Sequence, residues 1–309
     1  MNSGAKLPGT PEPMHHWRGA NGLRLAGDSW GDENNPLVVL LHGGGQTRHA
    51  WKGAGERLAQ EGFFAVAFDA RGHGDSEWAP ESEYGHDVMV EDLRCVLREI
   101  DRGAPALVGA SMGGGTSLYS VGEGLVDATA LVLVDIAPRI EEQGVSNIEA
   151  FMGQKPQGFD SLEDVAAAIA NYQPQRPRPR SLDGLGKNVR LWPDGKYRWH
   201  WDPLFRPTRF DLRERHRLYA ASATKLTLPV LLVRGGMSDV LTEEGVRDFR
   251  QLCRHAEYVS IPDAAHMVAG DRNDTFGGAV VNFLKKTVPR DARGVAELSE
   301  LRRSVVAGG

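Results

Sequence analysis

LVVLLH (37–42), FFAVAFD (63–69), ALVG (106–109), ALVLVDI (130–136) and LPVLLVRG (228–235) are runs in which nearly every residue is apolar. A strand with one face in water alternates apolar and polar residues. A run without alternation is expected where a sheet is covered on both faces. Segments of helical period lie between the runs: roughly 48–61, Met112–Glu123, about 242–253 and about 272–287. The clearest is DVMVEDLRCVLREID (87–101), which places Val88, Val90, Leu93, Val96, Leu97 and Ile100 along one stripe. A last strand is expected in EYVSIPD (257–263), and HWRGANGLRLAGDSWG alternates about Asn21-Gly22 as an edge hairpin does. Strand–helix pairs repeated this often specify an α/β fold. The expected sheet is mostly parallel, with about eight strands and helices on both faces.

The pattern stops between residues 138 and 222, which are polar and irregular and contain QPQRPRPR (173–180). That stretch reads as a largely helical lid inserted between two strands. The expected core is then 14–137 with 223–288, flanked by a disordered tail (1–13) and a charged C-terminal tail (289–309). A net charge of −5 supplies no basic field for nucleic acid or anionic lipid. Arg176, Arg178 and Arg180 alternate with proline or glutamine and read as a solvated, extended linker. MNSGAKLPGTPEP has three prolines and no apolar run, and no later stretch approaches the roughly 20 apolar residues of a span. Cys95 and Cys253, in helix-like segments, match no metal-ligand spacing and read as free thiols of a reducing compartment. The expectation is a cytoplasmic protein acting on a small molecule, with no metal, no cofactor, no nucleic-acid partner and no membrane partner. The sequence leaves the oligomeric state open.

Two serines fit the pattern G-x-S-x-G: Ser29 in Gly27-Asp-Ser29-Trp-Gly31, and Ser111 in Gly109-Ala-Ser111-Met-Gly113. With 37 Gly in the chain, chance alone supplies about 0.2 matches, so position has to choose. Ser29 follows the edge hairpin and precedes the turn cluster DENNP. Ser111 sits where a buried strand ends and a helix begins, the turn that pushes a hydroxyl out above a sheet. The helix N-terminus also brings backbone N–H groups and partial positive charge to the reacting oxygen.

A serine nucleophile needs a base, and the base an orienting carboxylate. Of the ten histidines, His15 and His16 lie near the tail, His49, His86, His216 and His255 on helix surfaces or their edges, and His200 in the lid. His266, in DAAHMVAGD, follows the last strand at the same carboxyl edge of the sheet as Ser111. Asp239, in RGGMSDVLT, occupies the loop after the preceding strand. The catalytic residues expected are therefore Ser111, Asp239 and His266, in the chain order this architecture uses.

LLHGGGQTRHAW, FDARGHGDS, GASMGGG, RGGMSDVL and DAAHMVAGD, in this order and spacing, resemble the alpha/beta-hydrolase superfamily in its lidded, serine-dependent branch of esterases and lactonases. The resemblance covers about residues 15–287 and is least specific in the lid. It implies that His42-Gly43-Gly44-Gly45 is the oxyanion loop, with Gly44 and Met112 donating their N–H groups. A phosphate loop does not fit, because no Gly-Lys-Ser/Thr follows. It implies a loop-shaping part for Asp69 and for Arg71-Gly-His73-Gly-Asp75. Some members of the fold carry their acid at the position of Asp135; Asp239 is preferred because GGMSD supplies a glycine turn that lifts the side chain. A serine here departs from the epoxide hydrolases and haloalkane dehalogenases, which use aspartate, and from the dienelactone hydrolases, which use cysteine.

In KNVRLWPDGKYRWHWDPLF (187–205), Trp192, Trp199, Trp201 and Phe205 read equally as an apolar substrate wall or as the lid's own core, with Trp199 and Trp201 the expected substrate contacts. The function expected is hydrolysis of a carboxylic ester or lactone of a small, largely apolar molecule through an acyl-enzyme on Ser111. A carbon–carbon bond hydrolase, a perhydrolase or cofactor-free haloperoxidase, and a ligand receptor on a hydrolase fold use the same parts and remain alternatives.

Overall fold

The computed structural model describes residues 4–80, 83–174, 182–205, 211–266, 268 and 273–288. Eight strands form one sheet: β1 (His15–Arg18), β2 (Arg24–Trp30), β3 (Leu37–Leu41), β4 (Phe64–Phe68), β5 (Ala106–Ala110), β6 (Ala130–Val134), β9 (Val230–Gly235) and β10 (Glu257–Ile261). Their order across the sheet is β1-β2-β4-β3-β5-β6-β9-β10, and only the β1–β2 and β2–β4 pairings are antiparallel. The edge hairpin turns through Asn21 and Gly22, both at positive φ. A small second ribbon pairs β7 (Val189–Leu191) with β8 (Tyr197–Trp199).

The unbroken apolar runs are explained by period-2 geometry between two helical layers. In β3, Leu37, Val39 and Leu41 join one core cluster while Val38 and Leu40 join the other. The first cluster lies under α2 (His86–Ile100) and α3 (Met112–Gly122), the second under α1 (Lys52–Gln60) and α8 (Asn273–Thr287). The order reverses at β3, whose neighbours are β4 on one side and β5 on the other. The loops leaving β3 and β5 therefore meet at a topological switch point, where doubly wound sheets place their ligands.

Between β6 and β9 the chain forms α4 (Glu142–Gly153), α5 (Leu162–Tyr172), the β7–β8 ribbon and α6 (Leu212–Thr224); α7 (Glu243–Leu252) follows β9. α6 packs on α3 and α7, so its residues up to 222, assigned by sequence to the lid, lie against the sheet-covering helices instead. Within the disordered tail expected over 1–13, of which residues 4–13 are described, the chain is held by specific contacts. Ala5 bridges Leu191 on the open edge of β7, and Lys6 pairs with Asp75 at 3.6 Å. An unpaired ribbon edge offers the backbone partners that an extended, proline-bearing segment can use. The expected C-terminal tail (289–309) and the Arg176, Arg178 and Arg180 run lie outside the described residues. Among the described residues, no helix is long and apolar enough to cross a membrane, and both Cys95 and Cys253 are free thiols.

Candidate active site

Ser111 ends β5 and begins α3 at φ 46° and ψ −110°, a conformation a residue with a Cβ adopts only under strain. Its neighbours make the turn possible. A Cβ at Gly109 would stand 2.4 Å from the Gly113 carbonyl oxygen, and one at Gly113 would stand 2.4 Å from that of Leu41. Both positions of the motif therefore require glycine. Ser111 N–H donates to Val134 O on β6, and Gly115 N–H to Ser111 O, which ties the turn to sheet and helix. Ser29, the decoy, lies in β2, and its hydroxyl meets His15 Nε2 at 2.8 Å.

The carboxylate against His266 is Asp135. Its Oδ2 lies 2.7 Å from His266 Nδ1, and the residue is fully buried at the end of β6, at φ 52°. Ser238 Oγ donates to the same oxygen and Gly235 N–H to Oδ1 at 2.8 Å, so with His266 three donors fix the carboxylate, while the backbone is held by Asp135 N–H on Val233 O. The expected acid, Asp239, is instead exposed and accepts a hydrogen bond from Asn147 Nδ2. The reason lies in Gly235 and Gly236. A Cβ on either would meet the 262–265 loop at 2.3 and 2.5 Å, so these glycines serve close packing and do not lift the loop. The turn sends Ser238 inward to Asp135 and Asp239 outward.

The loop after β3, Gly43-Gly44-Gly45, expected from the resemblance to bind the oxyanion, rests on three buried histidines that sequence reasoning did not join. His42 Nε2 accepts from Ala70 N–H and its Nδ1 donates to Gly43 O. His73 Nε2 accepts from Gly45 N–H while its Nδ1 donates to Arg71 O. His200, from the inserted segment, accepts from Gly74 N–H through Nδ1 and donates from Nε2 to Gly45 O at 3.3 Å. Each ring accepts at one nitrogen, so each is neutral with its tautomer fixed. Burial presses His42 down to about 4 and His73 to about 3, and holds His200 well below the usual range. Gly43 N–H is taken by Gln46 Oε1 and Gly45 N–H by His73. Among the described residues, Gly44 N–H and Met112 N–H have no partner within the chain, and Met112 opens helix α3. The only sequence signal for this support was the spacing of histidine and glycine in LLHGGG and RGHGDS.

Ser111, His266, Gly44, Met112, Trp199 and Trp201 all line one cavity of about 360 Å³; Asp239 does not. Trp199 and Trp201 stack at 4.9 Å, with Trp199 edge-on to Phe159. The two tryptophans thus belong to the core of the inserted segment and to the cavity wall at once. The remaining wall is mainly aliphatic, including Ile140, Val145 and Ile148. Its charged side chains are Lys187 and Arg215, and no Asp or Glu lines it among the described residues.

A doubly wound sheet with a strained serine at the switch point, an Asp–His pair whose imidazole lines the same cavity and a long insertion between β6 and β9 defines a class. Residues 36–272 match the family model for the alpha/beta hydrolase fold, and the chain belongs to that family. It is 28% identical over 259 residues to esterase Rv0045c of Mycobacterium tuberculosis, covering 79% of this chain and 80% of that one. It is 27% identical over 256 residues to a 3-hydroxybutyrate-oligomer hydrolase of Cupriavidus necator, covering 79% and 87%. The crystal structure of an E-2-(acetamidomethylene)succinate hydrolase superposes with a TM-score of 0.76 at 24% identity, covering 88% of this chain and 98% of that one.

Proposed function

We propose that the protein hydrolyses a carboxylic ester or lactone of a small molecule through an acyl-enzyme on Ser111. The observation that carries the reading is the set of groups sharing one cavity: a serine at a strained strand–helix turn, His266 held by Asp135, and two backbone N–H groups without partners. Esterases and an oligoester hydrolase among the relatives support the same chemistry.

In this reading His266 Nε2 takes the Ser111 proton as Oγ adds to the substrate carbonyl, and Asp135 holds the Nδ1 proton and balances the imidazolium. The carbonyl oxygen, now negative, takes the N–H groups of Gly44 and Met112. Collapse breaks the ester C–O bond, and His266 returns its proton to the departing alcohol. Water, deprotonated by His266, then attacks the acyl-enzyme and releases the acid with Ser111 restored. Asp135 replaces Asp239 in this scheme because only the former meets the imidazole.

The test is a panel of p-nitrophenyl esters of increasing acyl length, with simple lactones, on wild type and Ser111→Ala. Wild type should cleave the short esters, with kcat in Ser111→Ala down by about 10⁴-fold or more. Equal rates in the two proteins would rule the reading out.

A further inference from the structure

Among the described residues, five arginines are buried: Arg48, Arg71, Arg190, Arg215 and Arg234. Four have carboxylates. Arg48 meets Asp28, Asp69 and Asp75; Arg71 forks onto both oxygens of Asp92 at 2.7 and 2.8 Å; Arg190 pairs with Asp75; Arg234 pairs with Glu243. Arg215 has none among the described residues. Its Nη2 donates to Pro138 O at 3.3 Å, its Nε has no partner, and its guanidinium lies 4.8 Å above the Tyr219 ring. The side chain lines the Ser111 cavity and the residue is 9% exposed. A cation taken out of water without a counter-charge is expensive unless something supplies that charge.

Its place in the fold is close to the chemistry. Pro138 is three residues past Asp135. Tyr219, one turn along α6 from Arg215, packs over Gly115, where a Cβ would stand 2.2 Å from its hydroxyl. Gly115 is itself one turn, about 6 Å along the axis, from Ser111. Burial and the Arg215 charge press His86, also on this wall, down to about 4, so it stays uncharged beside the cation.

We propose that Arg215 binds a carboxylate of the substrate remote from the scissile carbonyl, so that the molecule hydrolysed is a small ester or lactone with a free carboxylate on an otherwise apolar body. The inference rests on the serine-hydrolase reading and narrows its substrate class. A planar guanidinium fork matches a carboxylate in two parallel hydrogen bonds, which Lys187, the other cationic side chain of the wall, cannot offer.

The experiment compares matched ester pairs. Mono-p-nitrophenyl glutarate against p-nitrophenyl hexanoate places the charge on the acyl side; 4-acetoxybenzoate against 4-acetoxybenzamide places it on the alcohol side. Wild type should prefer the anion in at least one pair. Arg215→Gln should cut that preference ratio by about 10- to 100-fold, mostly through KM, with partial recovery in Arg215→Lys. A wild type indifferent to charge in both pairs, or a ratio unmoved by Arg215→Gln, overturns the proposal. Should Arg215→Gln not fold, glutarate must inhibit wild-type cleavage of p-nitrophenyl hexanoate competitively where glutaramide does not; equal effects overturn it. Glutarate must also raise the Tm of Ser111→Ala, a readout that needs no turnover. Neutral esters cleaved without charge preference would leave the hydrolase reading standing and remove this one, whereas stabilisation by glutarate with no ester cleaved would remove the hydrolase reading and overturn the substrate role proposed for Arg215, leaving only a carboxylate-binding site there.

Discussion

Asp135 and Asp239 differ in what surrounds them more than in how far they lie along the chain. Asp135 is sealed at the end of β6 by Ser238, Gly235 N–H and His266, all donors to its carboxylate. Asp239 faces outward to Asn147. Asp135→Asn would put an amide where the imidazole N–H must be held, so kcat should fall by up to about 10⁴-fold with KM little changed. Asp239→Asn should leave kcat within about threefold, a change at an exposed side chain that makes no contact with the imidazole. Steady-state kinetics on both purified variants decide it; the reverse result would return the acid to Asp239. Ser111 and His266 were legible because strand–turn–helix position and chain order single them out. The carboxylate that meets His266 was not, because two strands end in aspartate-bearing loops at one sheet edge. Only the packing of Gly235 and Gly236 on the 262–265 loop decides which loop turns inward.

Three connecting segments, the loop after β3, the loop after β4 and the chain after β8, are fastened together by His42, His73 and His200. Their rings are neutral in the folded protein. Unfolding restores an ordinary histidine pKa near 6.5. As pH falls below that value the unfolded chain takes up protons that the folded chain refuses until about 4 for His42 and about 3 for His73. Stability is therefore full above about pH 6.5 and declines toward pH 4, at up to about 1.4 kcal/mol per pH unit for each such histidine. Urea midpoints measured from pH 7.5 to 4.5 should fall steeply. His73→Gln, whose amide oxygen can accept from Gly45 N–H as Nε2 does, should flatten the slope by one proton; an unchanged slope would show that His73 does not hold its neutral state. The strands and most helices were readable from periodicity alone. The histidine clamp was not, since its members stand 31 and 127 residues apart in sequence and are joined only through backbone groups.

At the scale of the whole molecule, the loops at the sheet edge supply Ser111, Asp135 and His266, and the segment between β6 and β9 supplies most of the apolar wall. The two are riveted by charge as well as by His200: Arg190 of β7 pairs with Asp75, which also takes Arg48 from the connection after β3. The fold was legible because unbroken apolar runs have few other uses. The double service of Trp199 and Trp201 was not, because the two stacked rings, at and just past the end of β8, face the core of the inserted segment and the cavity together. The central claim, that Ser111 carries the acyl group, is tested most directly by rapid-quench mass spectrometry of the intact chain during turnover of p-nitrophenyl butyrate. The account predicts one added butyryl group, mapped by peptide analysis to Ser111, decaying at the rate of steady-state turnover. Turnover without an adduct on Ser111, or an adduct there that outlasts the reaction, would contradict it.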